Sequence, residues 1–422
     1  MSIYGGFSRT NTRVDNTTAP AAGSSSELNY GQRSVTNTNL QAHSQTYSSQ
    51  TPGAPQPGSV PFHSTTSTSY SQRSGGGQQP HTSNKKSLTQ KYFLWLQPCE
   101  IWCLLRKKTQ YGSTLYDCVK SALENPDSSI GLYAPDPECY DVFRCLFWPV
   151  IMDYHKVDVR TLTFKHNFGN PDDLPDLSSQ LNEMIVSTRA RVGRTIAGFP
   201  MTAKLTVDQR LELEDRIKSA LQDLDGDLAG EYKSLKDISE NEQAQLREKH
   251  ILFQESNDRH LESAGGYLNW PVGRGVYVSR DENFIVWVCE EDHIRIISLS
   301  NHANMREVYG RLTRAVETLN KRLDFVQHQR LGFLTFCPTN IGTALRASVH
   351  VCIPRLEKSG ELNEFANKFN IQVRGTGGEH TEAKGSIYDL SNSVRLGKSE
   401  KDLIMEMWRG IEAILEREAK SQ

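Results

Sequence analysis

The sequence predicts an α+β protein, with a small all-helical N-terminal domain ahead of a larger domain whose mainly antiparallel sheet is flanked by helices. Two observations carry this prediction. Strand-like apolar runs occur beyond Leu181, at Glu183–Val192, Asn283–Leu299, Leu331–Phe336, Arg346–Ile353 and Ile371–Arg374. Between them lie segments with apolar residues every three or four positions, whereas the preceding region reads as helices and turns.

The chain has 422 residues, 37% hydrophobic and 23% charged, which suits a globular protein of two or three units. Its 48 Lys and Arg against 50 Asp and Glu leave a formal net charge of -2, so neither nucleic acid nor an anionic membrane is expected as principal partner. Eight cysteines without paired spacings read as reduced thiols of an intracellular, cytoplasmic protein. Cys99 and Cys103 are four apart, but no second Cys/His pair stands at zinc-like spacing, and no metal ligands are predicted.

Residues 1–84 are rich in Ser, Thr, Gln, Asn, Gly and Pro, as in Gly75-Gly76-Gly77-Gln78-Gln79-Pro80. So little apolar surface does not offset the entropy of ordering, and a disordered tail is predicted. Its scarce acids and Arg9, Arg13, Arg33 and Arg73 resemble a mitochondrial transit peptide, but the repeated Gly and Pro argue against the amphipathic helix one needs. Residues 85–165 are the predicted small helical domain. Its run Tyr92–Leu105 is interrupted by Gln97, Pro98 and Glu100 and is shorter than the ~20 residues of a membrane span, so a buried element is expected rather than an anchor. Tyr111–Leu123 reads as a helix, residues 125–136 as a loop of turn formers, and Glu138–Tyr154 as a buried helix.

In residues 166–422, Thr206 with Gln209 and Ser399 with Asp402 resemble capping boxes. Met305, Val308, Leu312, Val316 and Leu319 follow helical spacing and are read as core. On strands, residues two apart share a face. That parity aligns Ser187, Arg189 and Arg191, aligns Arg346, Ser348 and His350, and places Glu291, His293 and Arg295 together. With Arg374, five arginines lie in or beside strands, and gathering them on one face is costly without a strongly anionic ligand. Guanidinium forks match phosphate oxygens, and the chain has no Walker-type loop. A nucleotide cradled by arginines, with Mg2+ bridging its phosphates, is therefore the predicted ligand.

Two further features flank these strands. Glu290-Glu291-Asp292 follows the apolar run Phe284–Val288, and Glu379 closes the loop Arg374-Gly375-Thr376-Gly377-Gly378-Glu379. Carboxylates pointing into the site would grip a cationic substrate, and the glycines permit the backbone to close over a phosphate. The stretch Cys337-Pro338-Thr339-Asn340-Ile341-Gly342-Thr343 sets a thiol in a tight loop near fixed positive charge, where it is expected to ionise easily.

Together, Ser187-Thr188-Arg189-Ala190-Arg191, the segment Trp287–Arg295, the Cys337 loop, Arg346-Ala347-Ser348-Val349-His350 and Val373-Arg374-Gly375-Thr376 resemble the phosphagen (guanidino) kinases. The likeness runs from about Lys107 to the C-terminus and is strongest to the arginine-specific branch. It implies reversible transfer of the ATP γ-phosphoryl group to the guanidino nitrogen of L-arginine, giving phosphoarginine and ADP. By that likeness Arg189, Arg191, Arg295, Arg346 and Arg374 hold the phosphates beneath Gly375, Thr376, Gly377 and Gly378. Ser187, His250, Ser348 and His350 lie around the rest of the nucleotide. Glu291 and Glu379 clamp the guanidinium, Cys337 touches it as a thiolate-like anion, and Ser128, Ser129, Ile130, Gly131 and Tyr133 take the amino-acid end. Asp127 and Arg259 match a pair that links the two domains on closure. A monomer is preferred, although the sequence does not fix the oligomeric state.

Some residues depart from the arginine-specific pattern: Gly377 replaces an arginine, and Ser129-Ile130 replaces Gly-Val. A kinase for another guanidino compound, taurocyamine or lombricine, is therefore the alternative reading. A catalytically weak nucleotide-binding scaffold is a third.

Overall fold

The computed structural model describes residues 86–255, 258–375 and 384–420; the predicted disordered tail lies outside them. Five helices come first: α1 Leu88–Phe93, α2 Pro98–Leu105, α3 Leu115–Glu124, α4 Cys139–Val142 and α5 Arg144–His155. Local sequence sets their starts. Ser87 with Gln90 and Thr114 with Asp117 form reciprocal capping boxes, and Pro98 opens α2 where its missing N–H costs nothing. Their inward residues, including Leu104, Leu115, Cys118, Tyr140 and Phe147, build a core that also takes in Leu331, Phe336 and Cys337.

The run Tyr92–Leu105 is not the buried element expected from its composition. It is two short helices that break before Pro98, and only Leu104 of α2 is fully buried. Trp95 and Trp102 stand 71% and 64% exposed. A proline that cannot continue one helix starts another, and the new axis turns one narrow stripe inward. Glu138–Tyr154 is likewise divided, at Phe143, into α4 and α5.

The larger part begins with α6 Ser179–Asn182 and β1 Ile185–Arg194, then α7 Val207–Leu221, β2 Gly230–Ser234, α8 Glu240–Glu248 and α9 Arg259–Ser263. Next come β3 Gly275–Ser279, β4 Phe284–Val288, β5 Ile294–Ser300, α10 Met305–Asn320, β6 Gln327–His328, β7 Gly332–Phe333 and β8 Leu345–Cys352. The chain closes with α11 Pro354–Ser359, α12 Leu362–Asn367, β9 Ile371–Arg374, β10 Ile387–Asn392 and α13 Glu400–Lys420. Among the described residues, one antiparallel sheet runs in the order β2-β3-β4-β5-β1-β8-β10-β9. Ala190, Val192, Ile296, Ala347 and Val349 pack from one face onto Leu312 and Val316 of α10 and Ile411 of α13. Thr206 and Gln209 form their capping box on α7, and Ser399 accepts from the Asp402 N–H at 3.3 Å.

Two strand expectations need correction, and three strands went unpredicted. Asn283–Leu299 is a hairpin rather than one strand, because Cys289 takes φ 53° and its N–H donates to the His293 carbonyl at 2.9 Å. Leu331–Phe336 is mostly loop, with only Gly332 and Phe333 pairing to β6. The strands β2, β3 and β10 carry polar or glycine residues such as Lys233, Gly275 and Asp389, which hid them from a search for apolar runs. The described residues fall in one compact unit.

Candidate active site

Register builds the site. Against β8, Ser187 stands opposite His350, Arg189 opposite Ser348 and Arg191 opposite Arg346. The row continues from His350 to Asp389 on β10 and from Asp389 to Arg374 on β9. On the other flank Gly193 faces Arg295, which faces Trp287. Directly opposite residues project from the same side of an antiparallel sheet, so all five arginines share the face away from α10 and α13. Gly193 is required there: a Cβ would stand 2.6 Å from the Asp292 Oδ2.

The charges on this face are unevenly balanced. Arg346 donates to Asp389 at 2.5 Å. Arg295 lies between Glu290 at 2.6 Å and Glu291 at 2.8 Å, with Asp292 at 4.0 Å. Burial alone would lower the Arg295 pKa, but those three carboxylates hold it above its ordinary value. Arg189 and Arg191 pair with no carboxylate among the described residues, and the buried Nε and Nη2 of Arg189 have no hydrogen-bond partner there. Burial, then the charges of Arg346 and Arg295, pull Arg189 down to about 10. Burial, Arg295, Arg346 and Arg189 lower Arg191 in the same way. Like charges set opposite each other and buried donors without acceptors both cost stability, and anionic oxygens would relieve both.

Trp287 lies on the same face, and sequence reasoning left it without a role. Its ring lies 5.6 Å from the Arg189 guanidinium and 5.8 Å from that of Arg295, a cation–π floor beneath both. Its spacing of two from Ile285 on β4 was the available signal. At the other end of the row, His350 Nδ1 is 2.8 Å from Ser187 Oγ, and burial lowers its pKa. His250 is exposed, at φ 58°, and lies close enough for its charge to act on His350.

The acidic turn and the thiol loop meet at Glu291. Its Oε2 accepts from Arg295 at 2.8 Å and its Oε1 from the Asn340 amide at 3.2 Å. Arg395 in turn donates to the Thr339 carbonyl at 3.0 Å and to Asn340 Oδ1. Asn340 and Arg395 are thus further members of the site that the sequence reading did not single out. Asp292 is buried, accepts from the Phe336 N–H at 2.8 Å, and is pushed up to about 7 by burial and then by Glu291.

Two expectations fail here. His293 does not join Glu291 and Arg295: the hairpin turn breaks the period of two before Ile294, and the ring points away. Its Nδ1 accepts from the Ile196 N–H at 3.0 Å and its Nε2 donates to the Pro200 carbonyl at 2.8 Å, a neutral arrangement, and burial pulls its pKa down to about 4. Cys337 is not an easily ionised thiol in this state. Burial, then the neighbouring Glu291 carboxylate, push it up to about 12, against a contact to Thr339 Oγ1 at 3.2 Å that lowers it.

The loop at 128–133 comes from the small domain and abuts the thiol loop. Ser128, Ile130, Gly131 and Tyr133 are buried and Ser129 is exposed. The Tyr133 ring lies 4.9 Å from that of Phe336, and the Ala134 N–H donates to the Phe336 carbonyl at 2.9 Å. Gly131 has φ 70° and passes so close to Ala122 that a Cβ would meet it at 2.6 Å. Asp127, beside this loop, forms an ion pair with Arg259. Gly375 follows Arg374 at the end of β9, whereas Thr376, Gly377, Gly378 and Glu379 lie outside the described residues. No group of three or more His, Cys, Asp or Glu side chains among the described residues forms a metal site.

This arrangement, an arginine face meeting a carboxylate and a thiol, is that of an enzyme that moves phosphoryl groups. The catalytic C-terminal domain of ATP:guanido phosphotransferases matches residues 212–421, and their N-terminal domain matches residues 83–152. The chain belongs to the ATP:guanido phosphotransferase family and is a phosphotransferase. It is 46% identical over 342 residues to an arginine kinase of Schistocerca americana, covering 80% of this chain and 94% of that protein. An arginine kinase of Liolophura japonica is 46% identical over 316 residues, covering 74% and 89%. Among solved structures, the duplicated taurocyamine kinase from Schistosoma mansoni with bound transition state analog components matches with TM-score 0.74 and 43% identity, over 80% of this chain and 47% of that one. The chain therefore spans about half of that duplicated protein. A lombricine kinase matches with TM-score 0.75 and 32% identity, over 81% of this chain and 94% of that one.

Proposed function

We propose that the chain transfers the ATP γ-phosphoryl group reversibly to the guanidino nitrogen of L-arginine, giving phosphoarginine and ADP. The observation that carries this reading is the pair Arg189 and Arg191, unmatched by any described carboxylate, on the same face as Glu291-bound Arg295. Arg189, Arg191, Arg295, Arg346 and Arg374 hold the phosphate oxygens together with Gly375, Thr376, Gly377 and Gly378, and Ser187, Ser348, His250 and His350 border the rest of the nucleotide. Mg2+ carried by the nucleotide would supply charge neutralisation on the phosphates; the described residues offer it no side-chain cluster of their own.

The acceptor end is anionic. Glu291 orients the guanidinium and takes the proton that its nitrogen loses, Glu379 grips the other side, and Cys337 touches the same group. A bound cation opposes the field of Glu291 and draws the thiol toward its anion. Ser128, Ser129, Ile130, Gly131 and Tyr133 take the amino-acid end. Phosphoryl transfer through a loose, in-line transition state needs alignment and charge stabilisation more than covalent help, which suits this constellation.

The departures at Gly377 and Ser129-Ile130, with the likeness to taurocyamine and lombricine kinases, favour a second guanidino acceptor as the alternative. The test is ATP consumption by the full chain with Mg2+ and L-arginine, beside creatine, taurocyamine and lombricine. Turnover with arginine alone supports the proposal, and turnover with another guanidine moves the substrate. Nucleotide binding without turnover on any of them would leave a scaffold.

A further inference from the structure

Helix α2 and the corner before it show a face that the described residues leave uncovered. Leu94 and Trp95 at the corner are 65% and 71% exposed, and Trp102 and Leu105 on the helix are 64% and 56% exposed. Cys99, Trp102, Cys103 and Arg106 recur at helical spacing and make one outward ridge, with both thiols exposed. Two indoles held out in water this close in sequence are unusual, and such patches mark contact surfaces. Directly beyond the helix Arg106, Lys107 and Lys108 are all exposed, and Arg106 lies 5.6 Å from the Trp102 ring. The acid on the helix, Glu100, turns its carboxylate to the Gln97 N–H at 2.8 Å. No hydrogen bond, ion pair or ring contact joins these residues to the described residues of the site.

We propose that this face docks the protein on an anionic lipid bilayer. Tryptophan and leucine on a short helix suit shallow burial at the headgroup boundary, and the adjoining cations suit acidic headgroups. The attachment is peripheral: no described helix is long and apolar enough to cross a membrane. A negatively charged surface complements the exposed run Arg106–Lys108 beside the indoles. The net charge of the whole chain concealed this local cluster, which is why no membrane partner was expected from composition.

The test is flotation of the full-length chain with vesicles of phosphatidylcholine alone or with added phosphatidylserine. The expected result is flotation with the phosphatidylserine vesicles, weakened by salt. Exchange of both indoles (Trp95→Ser with Trp102→Ser) should lower that partition by about tenfold while kinase turnover stays unchanged. The pair Lys107→Gln and Lys108→Gln, which leaves the ridge intact, should also lower it on the phosphatidylserine vesicles. Absence of flotation by the unaltered chain, or flotation indifferent to both variants, overturns the proposal. Self-association that the indole exchange abolishes, without flotation, assigns the face to a second copy and overturns it too.

Discussion

The Asn340 side-chain amide donates to Glu291 Oε1 at 3.2 Å, so the thiol loop itself holds the carboxylate proposed to face the acceptor. Arg395 fixes the other end of that amide. Hydrogen bonds to charged groups are worth about 1.5–3 kcal/mol, so Asn340→Ala should lower kcat by roughly 10- to 100-fold. Glu291 keeps its bond to Arg295, and the KM for ATP should stay within about twofold. Steady-state kinetics with each substrate varied checks this; a change confined to the KM for ATP would refute it.

Arg191 stands opposite Arg346 and pairs with no described carboxylate. Arg191→Gln should therefore cut kcat/KM for ATP by roughly 10- to 100-fold while raising the melting temperature of the nucleotide-free protein. Thermal melts beside kinetics separate the two effects. Loss of activity together with loss of stability would mean that Arg191 is a structural residue.

Cys337 is proposed to touch the guanidinium without forming a bond to it. Cys337→Ala should slow turnover more than about twofold and raise the KM for the guanidino substrate, yet leave measurable activity, since no covalent intermediate is lost. Turnover unchanged within about twofold removes the contact from the mechanism.

His155 and His293 are buried and hydrogen-bonded as neutral rings to the carbonyls of Pro338 and Pro200, both at 2.8 Å. Burial pulls each down to about 4. An unfolded chain takes up protons near pH 6.5 that the folded rings refuse, so the rings' contribution to stability is full above about pH 6.5 and declines as pH falls toward 4. The upper value is on the order of 3 kcal/mol per ring. Urea melts from pH 7 to 4.5 measure the slope, and His155→Phe should reduce it while lowering stability at pH 7. An unaltered slope in that variant would show that His155 titrates normally.

Much of the arginine face was legible because it depends on short-range rules. Alternation along β1 puts Arg189 and Arg191 on a common side whatever the rest of the fold does, and the antiparallel register then adds Arg346, Arg295 and Arg374. The acidic turn was misread for an equally local reason. A single positive φ at Cys289 ended the alternation and sent His293 to the opposite side, and no apolar pattern announces such a residue.

The sequence by itself determined which residues carry charge and which stretch can place them on one strand face, since the pleat and the guanidinium chemistry are properties of a few consecutive residues. The tertiary structure alone decided what those charges meet. It set Asn340 against Glu291, Asp389 against Arg346 and Trp287 beneath Arg189, and it surrounded Cys337 with protein and a carboxylate rather than cations. Contacts between residues tens of positions apart depend on chain packing, and an ionisation equilibrium sums the burial and charge of all neighbours in space. The same reason left Trp95 and Trp102 outside the core: hydrophobicity is written in the residue, whereas the surface that covers it is supplied by the rest of the molecule or by a partner.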